Sequence, residues 1–254
     1  MKLQMILGLS LAGSFSIHAS TIALGSTGTF AVLGGSTVTN TGSSNITGSV
    51  GASAGSAITG FPPGTVIAGS IHSGDAVAAQ AQSDLTTAYN MATALPCTTT
   101  LSGQNLGGLT LLPGVYCFAS SAQLTGVLTL NATGDPNAFF LFKIGSALTT
   151  ASFSSVAFTN AGQGGSVFWQ VGSSASLGTN SAFAGNILAL TSITANTGAN
   201  IQCGRALARN GTVTLDNNIV SACNDAGSAS PEPSTVSLSL LLGAIGFLYL
   251  RKST

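Results

Sequence analysis

The sequence repeats itself between Gly172 and Val220, where Gly185-Asn-Ile-Leu-Ala189 returns 19 positions later as Gly204-Arg-Ala-Leu-Ala208. Ser192-Ile-Thr194 returns in the same way as Thr212-Val-Thr214, 20 positions later. A repeat near twenty residues that is rich in Gly, Ala, Ser, Thr and Asn is typical of a chain wound into stacked coils. The stretch therefore predicts an all-β dominated fold, a β-solenoid with rungs of about 20 residues.

Further copies lie on the N-terminal side of this stretch. Leu109-Thr-Leu111 recurs as Leu128-Thr-Leu130 at a distance of 19, and then as Leu148-Thr149 at a distance of 20. In the Leu-Thr-Leu copies a small polar residue lies between two branched apolar residues, which is the alternation of a strand with one buried face. Leucine-rich repeats have a similar period, but their L-x-x-L-x-L-x-x-N pattern is absent, so we set that fold aside.

One segment has the period of a helix. Apolar and small residues recur there every three or four positions: Val77, Ala81, Leu85, Ala88, Ala92 and Leu95. This stripe predicts an α-helix over about 74–95, with Ser73 as its N-cap, Asp75 at its positive end and Pro96 after its last turn. We expect the helix to lie along one flank of the solenoid and to have a structural role.

The four cysteines form two pairs with the same spacing. Cys97 and Cys117 are 20 apart, as are Cys203 and Cys223, which is about one rung. Two disulfides between adjacent coils are the preferred interpretation in an exported protein, and other pairings remain open. A zinc site is not expected, because C-x-x-C spacing and nearby histidines are absent.

Both ends of the chain have the composition of processing signals. Residues 1–19 combine a basic start, an apolar run and a small residue at the expected cleavage point, which predicts a signal peptide. At the other end, the apolar run Val236–Leu250 precedes Arg251-Lys252, and its length is short against the roughly 20 residues that span a bilayer. We predict a folded domain over 20–224 and a flexible linker over 225–230.

The charge of the chain excludes several classes of function. Residues 20–230 hold three Lys or Arg and five Asp or Glu, and three minus five gives a net charge of −2. Nucleic-acid binding needs many basic contacts to phosphate, so it is not expected. No phosphate-binding loop or metal-ligand spacing is present in the sequence, and we expect no cofactor.

Catalytic groups are equally scarce. After removal of the signal peptide only His72 remains, and we expect it in a solvated loop. Arg205, Arg209 and Asp216 are the nearest approach to a cluster, with Arg205 and Asp216 expected to form a structural ion pair. An enzyme needs convergent titratable groups, so the sequence predicts that the protein is not an enzyme.

The aromatic residues are interpreted as core. Asp135-Pro136-Asn137 reads as a turn, after which 138–142 forms a buried strand. Four further aromatics lie in alternating or rung-like contexts and are expected inside: Phe153, Phe158, Phe168 and Trp169.

The surface that such a chain presents is repeated and uncharged. Coils about 4.8 Å apart stack equivalent residues, so outward Thr, Ser, Asn and Ala form a regular array. Threonine is stiff at its first side-chain torsion, which limits motion within the array. We expect this array to hold water in an ordered arrangement.

Six segments of the chain form a recognisable series: Phe30-Ala-Val-Leu33, Gly35-Ser-Thr-Val38, Ile58-Thr-Gly-Phe-Pro-Pro-Gly64, Leu112-Pro-Gly-Val-Tyr116, Val167-Phe-Trp-Gln-Val171 and Val213-Thr-Leu-Asp216. Through these segments the chain resembles the ice-binding-like family of microbial antifreeze proteins over about residues 21–220. The resemblance implies a right-handed β-solenoid, triangular in section, with one long helix packed alongside. It also implies that ice, or ordered water, is bound through one flat solenoid face.

In some members of this family a T-A/G-x-T/N pattern recurs on the binding face. Thr197-Gly-Ala-Asn200 fits this pattern, Thr41-Gly-Ser-Ser44 fits with serine in the last place, and Thr179-Asn-Ser-Ala182 fits at its first position. The resemblance therefore makes Thr41, Ser44, Thr179, Ser181, Thr197 and Asn200 the candidate ice-binding residues.

The C-terminus is similar to a second signature. Pro231-Glu232-Pro233, an apolar run and a basic pair resemble the PEP-CTERM sorting signal of Gram-negative bacteria, which an exosortase is thought to cut. This resemblance implies a secreted or cell-surface protein, and an ordinary tail anchor over 231–254 is the alternative.

The preferred hypothesis is an exported antifreeze protein that adsorbs to ice and inhibits its growth or recrystallisation. The alternative is a cell-surface or matrix protein, an adhesin or spacer, that has the same fold and no ice activity. Exopolysaccharide is the partner that the alternative suggests.

Overall fold

The computed structural model describes residues 22–160 and 166–223. The predicted signal peptide, the linker, the sorting motif Pro231-Glu232-Pro233 and the apolar run that follows it lie outside these residues. The domain bounds of 20–224 therefore stay a prediction.

The described residues form 22 strands and one long helix, α1 (Ala76–Ala94), after a short 3-10 helix at Gly25–Thr29. In chain order the strands are β1 (Phe30–Gly34), β2 (Thr37–Thr41), β3 (Asn45–Thr47), β4 (Ser49–Ala52), β5 (Ala57–Thr59), β6 (Thr65–Ile67), β7 (Ile71–Ser73), β8 (Thr99–Thr100), β9 (Thr110–Leu111), β10 (Gly114–Phe118), β11 (Ala122–Leu124), β12 (Val127–Asn131), β13 (Phe140–Ile144), β14 (Leu148–Thr150), β15 (Ser155–Thr159), β16 (Val167–Val171), β17 (Ala175–Leu177), β18 (Ala182–Ala189), β19 (Ile193–Ala195), β20 (Asn200–Ala208), β21 (Val213–Asp216) and β22 (Ile219–Ser221).

The strands pair in parallel and form three ladders. The threonine ladder has the order β5-β2-β21-β19-β17-β14-β11. The helix ladder runs β7-β4-β1-β20-β18-β16-β13-β10-β8, and the third ladder runs β6-β3-β22-β20-β18-β15-β12-β9. Strands β18 and β20 each bend between their halves. The first half of each strand belongs to the third ladder and the second half to the helix ladder. The chain visits the three ladders in turn and so builds a stack of coils.

The stacking order differs from the order of the sequence. Strand β1 lies between β20 and β4, so the first coils of the chain stack on the last ones. Helix α1 then carries the chain from β7, at one end of the helix ladder, to β8 at the other end. The helix contacts β1, β4, β7, β13 and β16 on its way.

The predicted repeat is confirmed by the strand register. Asn186 lies beside Arg205 and Leu188 beside Leu207, while Thr194 lies beside Thr214. The pairing of Leu109-Thr-Leu111 with Leu128-Thr-Leu130 is also present, but the proposed third copy is wrong. Leu148-Thr149 belongs to the threonine ladder and lies beside Ala122 and Gln123. The copy fails because the coil that leads from β12 to β15 is longer than the repeat of about 20 residues.

The helix begins later than predicted. Its N-cap is Asp75 and not Ser73, and the Asp75 carboxylate accepts a hydrogen bond from the backbone N–H of Ala78 at 2.9 Å. The buried stripe holds Ala81, Leu85, Ala88 and Ala92 as predicted, joined by Ala78 and Tyr89. Val77 is exposed, contrary to prediction, because Ala78 takes the buried position in the first turn.

The segment before β1 is fastened to the helix. Asp84 accepts hydrogen bonds from the Ser26 backbone N–H at 2.7 Å and from the Ser26 hydroxyl at 2.6 Å, and a further one from Gln80. Burial raises the pKa of Asp84, but the hydrogen bonds from Ser26 and Gln80 outweigh it, so the pKa lies below its ordinary value.

The core has an inner and an outer part. Side chains that point into the coils form the inner cluster, which contains an aromatic stack of Tyr116, Phe142 and Trp169 on successive coils. Outward leucines of the helix ladder, among them Leu33 and Leu188, form the outer cluster against α1. The expected burial holds for Trp169, but Phe153 is 74% exposed, because it lies in a turn at positive φ.

Both pairs of cysteines are bonded as the spacing suggested. Cys97 bonds Cys117, and Cys203 bonds Cys223. Each bond joins segments that are 20 residues apart. Among the described residues, the structure contains no helix that is long and apolar enough to cross a membrane.

Candidate functional site

The threonine ladder presents one column of hydroxyl side chains on its outer side. In stacking order the residues in this column are Gln123, Thr149, Ser176, Thr194, Thr214, Thr39 and Thr59, each beside the next in the strand register. Their neighbours along each strand point inward and are mostly buried. The column therefore follows directly from the alternation of an apolar residue with a threonine. We call the outward side of this ladder the threonine face.

The spacing of the face is set by the sheet. Adjacent strands lie about 4.8 Å apart, so the seven strands span about 29 Å from Gln123 to Thr59. A second column precedes the first by two residues, or about 6.6 Å along each strand. It contains Ser192, Thr212, Thr37 and Ala57. The result is a two-dimensional array of small polar groups.

Several of the hydroxyls bond to each other across the strands. The Thr37 and Thr212 Oγ1 atoms are 2.9 Å apart, and the Ser36 hydroxyl lies 3.1 Å from the same Thr212 oxygen. The Thr39 hydroxyl approaches that of Thr214 at 3.4 Å. These contacts, with the restricted rotation of threonine, hold the array in a fixed arrangement.

Charged groups lie at the borders of the face and not within it. Arg209 follows the helix ladder, and its guanidinium lies over the ring of Tyr89, 4.7 Å from the centroid, on the helix side. Asp216 is the last residue of β21 and accepts a hydrogen bond from the Thr197 hydroxyl. The seven residues of the first column, which we call the central column, are all uncharged. The central column therefore lacks ionic groups that would impose their own hydration, and Asp216 lies one column away from it.

Three of the candidates from the sequence line up at one border of this face. Thr179, Thr197 and Thr41 occupy the corner between the threonine ladder and the third ladder, with Asp216 between the last two. Backbone hydrogen bonds join these corner positions from coil to coil: Asn180 N–H to Thr197, Gly198 N–H to Asp216, and Asn217 N–H to Thr41. We call these four residues the corner column.

The recurring Thr-Gly pairs have a structural cause at this corner. Gly198 and Gly42 have φ values of +72° and +80°, so each glycine makes the left-handed turn that leads to the next ladder. Asn180 and Asn217 take the equivalent place on other coils at φ of +55° and +52°.

The other three candidates do not belong to an outward array. Ser44 and Ser181 are buried, at 0% and 1% exposed, so these two predictions are wrong for any direct contact with a ligand. The Ser44 hydroxyl accepts the backbone N–H of Asn218 inside the corner. Asn200 lies on the third ladder, and its side chain accepts the N–H of Ile219 at 2.9 Å. The Ser44 and Asn200 side chains are thus engaged in local hydrogen bonds, whereas the buried Ser181 hydroxyl has no hydrogen-bond partner within the described residues.

The sequence motifs did not identify the central column, although its signal is present in the chain. The copies Ser192-Ile-Thr194 and Thr212-Val-Thr214 contain four residues of the face, and they were used only to establish the repeat. A search for threonine directly after an inward apolar residue finds three more members of the column, in Val38-Thr39, Ile58-Thr59 and Leu148-Thr149, but not Gln123 or Ser176.

The groups considered for catalysis are separated and have structural partners. Arg205 donates to the backbone carbonyls of Gly28 and Cys223 and to Oδ1 of Asn186, so the expected ion pair with Asp216 is wrong. The two residues lie on different ladders. No group of three His, Cys, Asp or Glu that suits a metal ion occurs in the described part of the chain.

His72 is not a loop residue as expected. It lies in β7, its Nδ1 is 2.8 Å from the Asp75 carboxylate, and its ring packs on Phe30 at 5.4 Å. The backbone N–H of Ala78 and then His72 lower the pKa of Asp75 through hydrogen bonds. This pair fastens the start of α1 to the last strand before it.

Comparisons with known proteins agree on one family. The family model described as Ice-binding-like matches residues 32–221. An "Ice-binding protein" of Nostoc sp. (strain HG1) is 54% identical over 255 residues, which cover 98% of this chain and 94% of that protein. A crystal structure of an ice-binding protein from an Antarctic biological consortium has 46% identity and a TM-score of 0.77, and the match covers 86% of this chain and 96% of the other. The structure of an ice-binding protein from the ascomycete Antarctomyces psychrotrophicus has 40% identity and a TM-score of 0.78, covering 81% and 100%.

Proposed function

Because the chain belongs to the Ice-binding-like family, we propose that it binds ice through the threonine face and inhibits ice growth or recrystallisation. The observation that carries this proposal is the column of six hydroxyl residues on successive parallel strands, between Thr149 and Thr59. The names of the relatives support the same function. We also propose that the stacked coils form a right-handed solenoid of triangular section.

The physical reason is the match between a fixed array and ordered water. Each threonine offers a hydroxyl that bonds water and a methyl group that does not, and both repeat every 4.8 Å or so along the column. A surface whose hydroxyls are already in place loses little conformational entropy when it contacts a solid. Since the central column has no charge, water above it keeps the arrangement that the hydroxyls favour.

We place the corner column at the edge of this surface. Thr41 and Thr197 are exposed and Thr179 is half-buried, so they extend the hydroxyl array by one column toward the third ladder. Asp216 interrupts that column on one coil. The corner is therefore a secondary part of the proposed ice-binding surface, and the central column is the main part.

Direct assays on ice test the function. Residues 20–230 are measured for thermal hysteresis, crystal shaping and inhibition of recrystallisation, and we expect all three. Normal crystal shape and no hysteresis at high protein concentration are incompatible with the proposal. Binding to purified polysaccharide or cells, without any effect on ice, favours the adhesin or spacer function instead. In both cases the protein acts by adsorption and not by catalysis.

We further propose that the protein acts outside the cell. The N-terminal sequence 1–19 supports export, and the two disulfides suit an oxidising compartment. Residues 231–254 are proposed to be a PEP-CTERM signal cut by an exosortase in a Gram-negative host. Fractionation of cells that carry the chain, with and without Pro231-Glu232-Pro233, checks this: loss of the motif is expected to change the fraction in which the domain is found.

A further inference from the structure

The corner column carries one carboxylate among hydroxyl groups. Thr179, Thr197, Asp216 and Thr41 follow one another on successive coils, about 4.8 Å apart. Three of these residues are threonines, and Asp216 is the one charged member. Asp216 is half-buried, so it still meets solvent. The column is therefore uniform in its hydroxyl groups except at this position.

Asp216 lies beside the interior of the threonine face and not at its end. It follows Thr214 of the central column by two residues on β21, or about 6.6 Å along the strand. Strand β21 is the third of the seven strands in the ladder. The charge therefore borders the part of the face that a flat crystal surface would cover.

A carboxylate and a threonine hydroxyl order water in different ways. The hydroxyl both donates and accepts hydrogen bonds, as each water molecule in ice does, whereas an ionised carboxylate accepts only. Water around a carboxylate turns its O–H groups toward the charge, and this arrangement does not continue into the ice lattice. Moving the charge out of liquid water is also costly unless it gains a partner. A carboxylate therefore opposes contact with ice at its own position.

The carboxylate also affects its neighbours in the column. The Thr197 hydroxyl donates its hydrogen to Oδ2 of Asp216, so that hydrogen is not available to ice. Thr41 lies beside Asp216 in the strand register on the opposite side. One charged side chain thus acts on three successive positions of the corner column.

We infer that Asp216 limits ice binding, because its charge weakens the contact of the corner column and leaves most of the contact to the central column. This inference rests on the proposed function of the threonine face. The turn at the corner does not depend on the carboxylate, since the backbone N–H of Asp216 donates to Oδ1 of Asn218. Replacement of the side chain therefore leaves the fold intact and increases ice activity.

Three substitutions at this position separate charge from shape. Asp216→Thr completes the column of hydroxyls, and we expect it to lower the protein concentration that halves recrystallisation by about three- to tenfold. Asp216→Asn removes the charge and keeps an acceptor for Thr197, so we expect a decrease of about two- to threefold. Asp216→Glu keeps the charge, and we expect it to give no gain.

Asp135 offers a matched control for the change in net charge. It is exposed in the turn between β12 and β13, away from the threonine face, and its carboxylate accepts the backbone N–H of Asn137 at 2.8 Å. Asp135→Asn removes the same charge and keeps an oxygen that accepts this bond. We expect it to leave ice activity unchanged.

A double substitution tests whether the gain arises in the corner column. Thr197→Val keeps the shape of the side chain and removes the hydroxyl next to Asp216. If the column contacts ice more fully once the charge is gone, Thr197→Val lowers activity more in the Asp216→Thr protein than in the wild-type protein. Equal losses in the two backgrounds contradict this.

Inhibition of recrystallisation and thermal hysteresis are measured on the full chain and its variants, and circular dichroism gives each unfolding temperature. If Asp216→Thr lowers that temperature, Asp216→Asn decides. Higher activity without the charge, and none gained with Asp216→Glu or Asp135→Asn, supports the inference. Unchanged or lower activity of Asp216→Thr and Asp216→Asn beside an active wild-type protein overturns it and leaves the proposed function intact. Inactivity of the wild-type protein and every variant overturns both.

Discussion

Replacing Thr194 by tyrosine tests whether the threonine face acts as one flat contact. Thr194 is on β19, the fourth of seven strands, so three strands lie on each side of it. A tyrosine ring stands well above the neighbouring hydroxyls and holds a flat crystal surface away from the centre of the face. Contact then remains possible on one side only, which is at most three of the seven strands.

The position of the substitution decides the size of the effect. A central contact in a cooperative surface contributes about 2 kcal/mol or more to binding. Its loss corresponds to about a thirtyfold increase in the protein concentration needed to inhibit recrystallisation. Thr59→Tyr changes the terminal strand β5 and leaves most of the ladder flat, so we expect less than about a fivefold change. The change thus decreases from the centre of the ladder to its end.

Recrystallisation inhibition in dilution series measures this effect. Thr47→Tyr is the control, since Thr47 is half-exposed like Thr194 but belongs to the third ladder. Circular dichroism checks that each variant keeps its unfolding temperature. Equal losses for Thr194→Tyr and Thr59→Tyr, or a comparable loss for Thr47→Tyr, refute the assignment of the ice-binding surface to this ladder.

Three further predictions concern the stability of the framework behind the face. Because the pKa of Asp84 is lowered in the folded state, its contribution to stability is present above its ordinary pKa near 3.9 and is lost as the pH falls through the lower folded value. Asp84→Asn weakens the acceptance of hydrogen bonds from Ser26, so we expect the free energy of unfolding to depend less on pH in acid. An unchanged dependence contradicts this role of Asp84. Replacement of Cys203 and Cys223 by serine opens a loop of 20 residues, and we expect it to lower the free energy of unfolding by about 3 kcal/mol. Calorimetry then shows an unfolding temperature that is lower by about 6–12 °C, while ice activity in the cold persists. Trp169→Phe removes the indole donor from a buried backbone carbonyl 3.0 Å away. We expect chemical denaturation to show a free energy of unfolding that is lower by about 1–3 kcal/mol. A difference near zero shows that water satisfies that carbonyl.

Local patterns in the sequence were sufficient for the coils, the helix and the disulfides. A repeat of 19 or 20 residues fixes which residues are neighbours on adjacent coils, and Cys203 and Cys223 followed from that spacing. The helix was recognised because its stripe at Ala81, Leu85 and Ala88 has a period that strands do not have. Its first turn was misplaced, since Ser73 and Asp75 are both good capping residues and only the geometry of β7 decides between them.

The choice of face depended on information that the repeat alone does not contain. The Thr-Gly motif drew attention to Thr41 and Thr197, which border the face, because turn residues recur as regularly as surface residues do. Ser44 and Ser181 were assigned wrongly for the same reason: a corner residue points inward or outward according to the turn, and not according to strand alternation. Thr194 and its column are found only when alternation within each short strand is combined with the register between strands.

The position of β1 between β20 and β4 has a consequence for how the protein is made. The coils that emerge first from the ribosome or the export channel have their permanent neighbour at the far end of the chain. They must remain incomplete until β20 follows, and such non-local pairing is slow to form. Arg205, which bonds the carbonyls of Gly28 and Cys223, then closes a seam between the two ends of the polypeptide. Premature termination before this seam therefore leaves two partial stacks of coils that are joined by α1 and have unpaired edges, in place of one shorter solenoid.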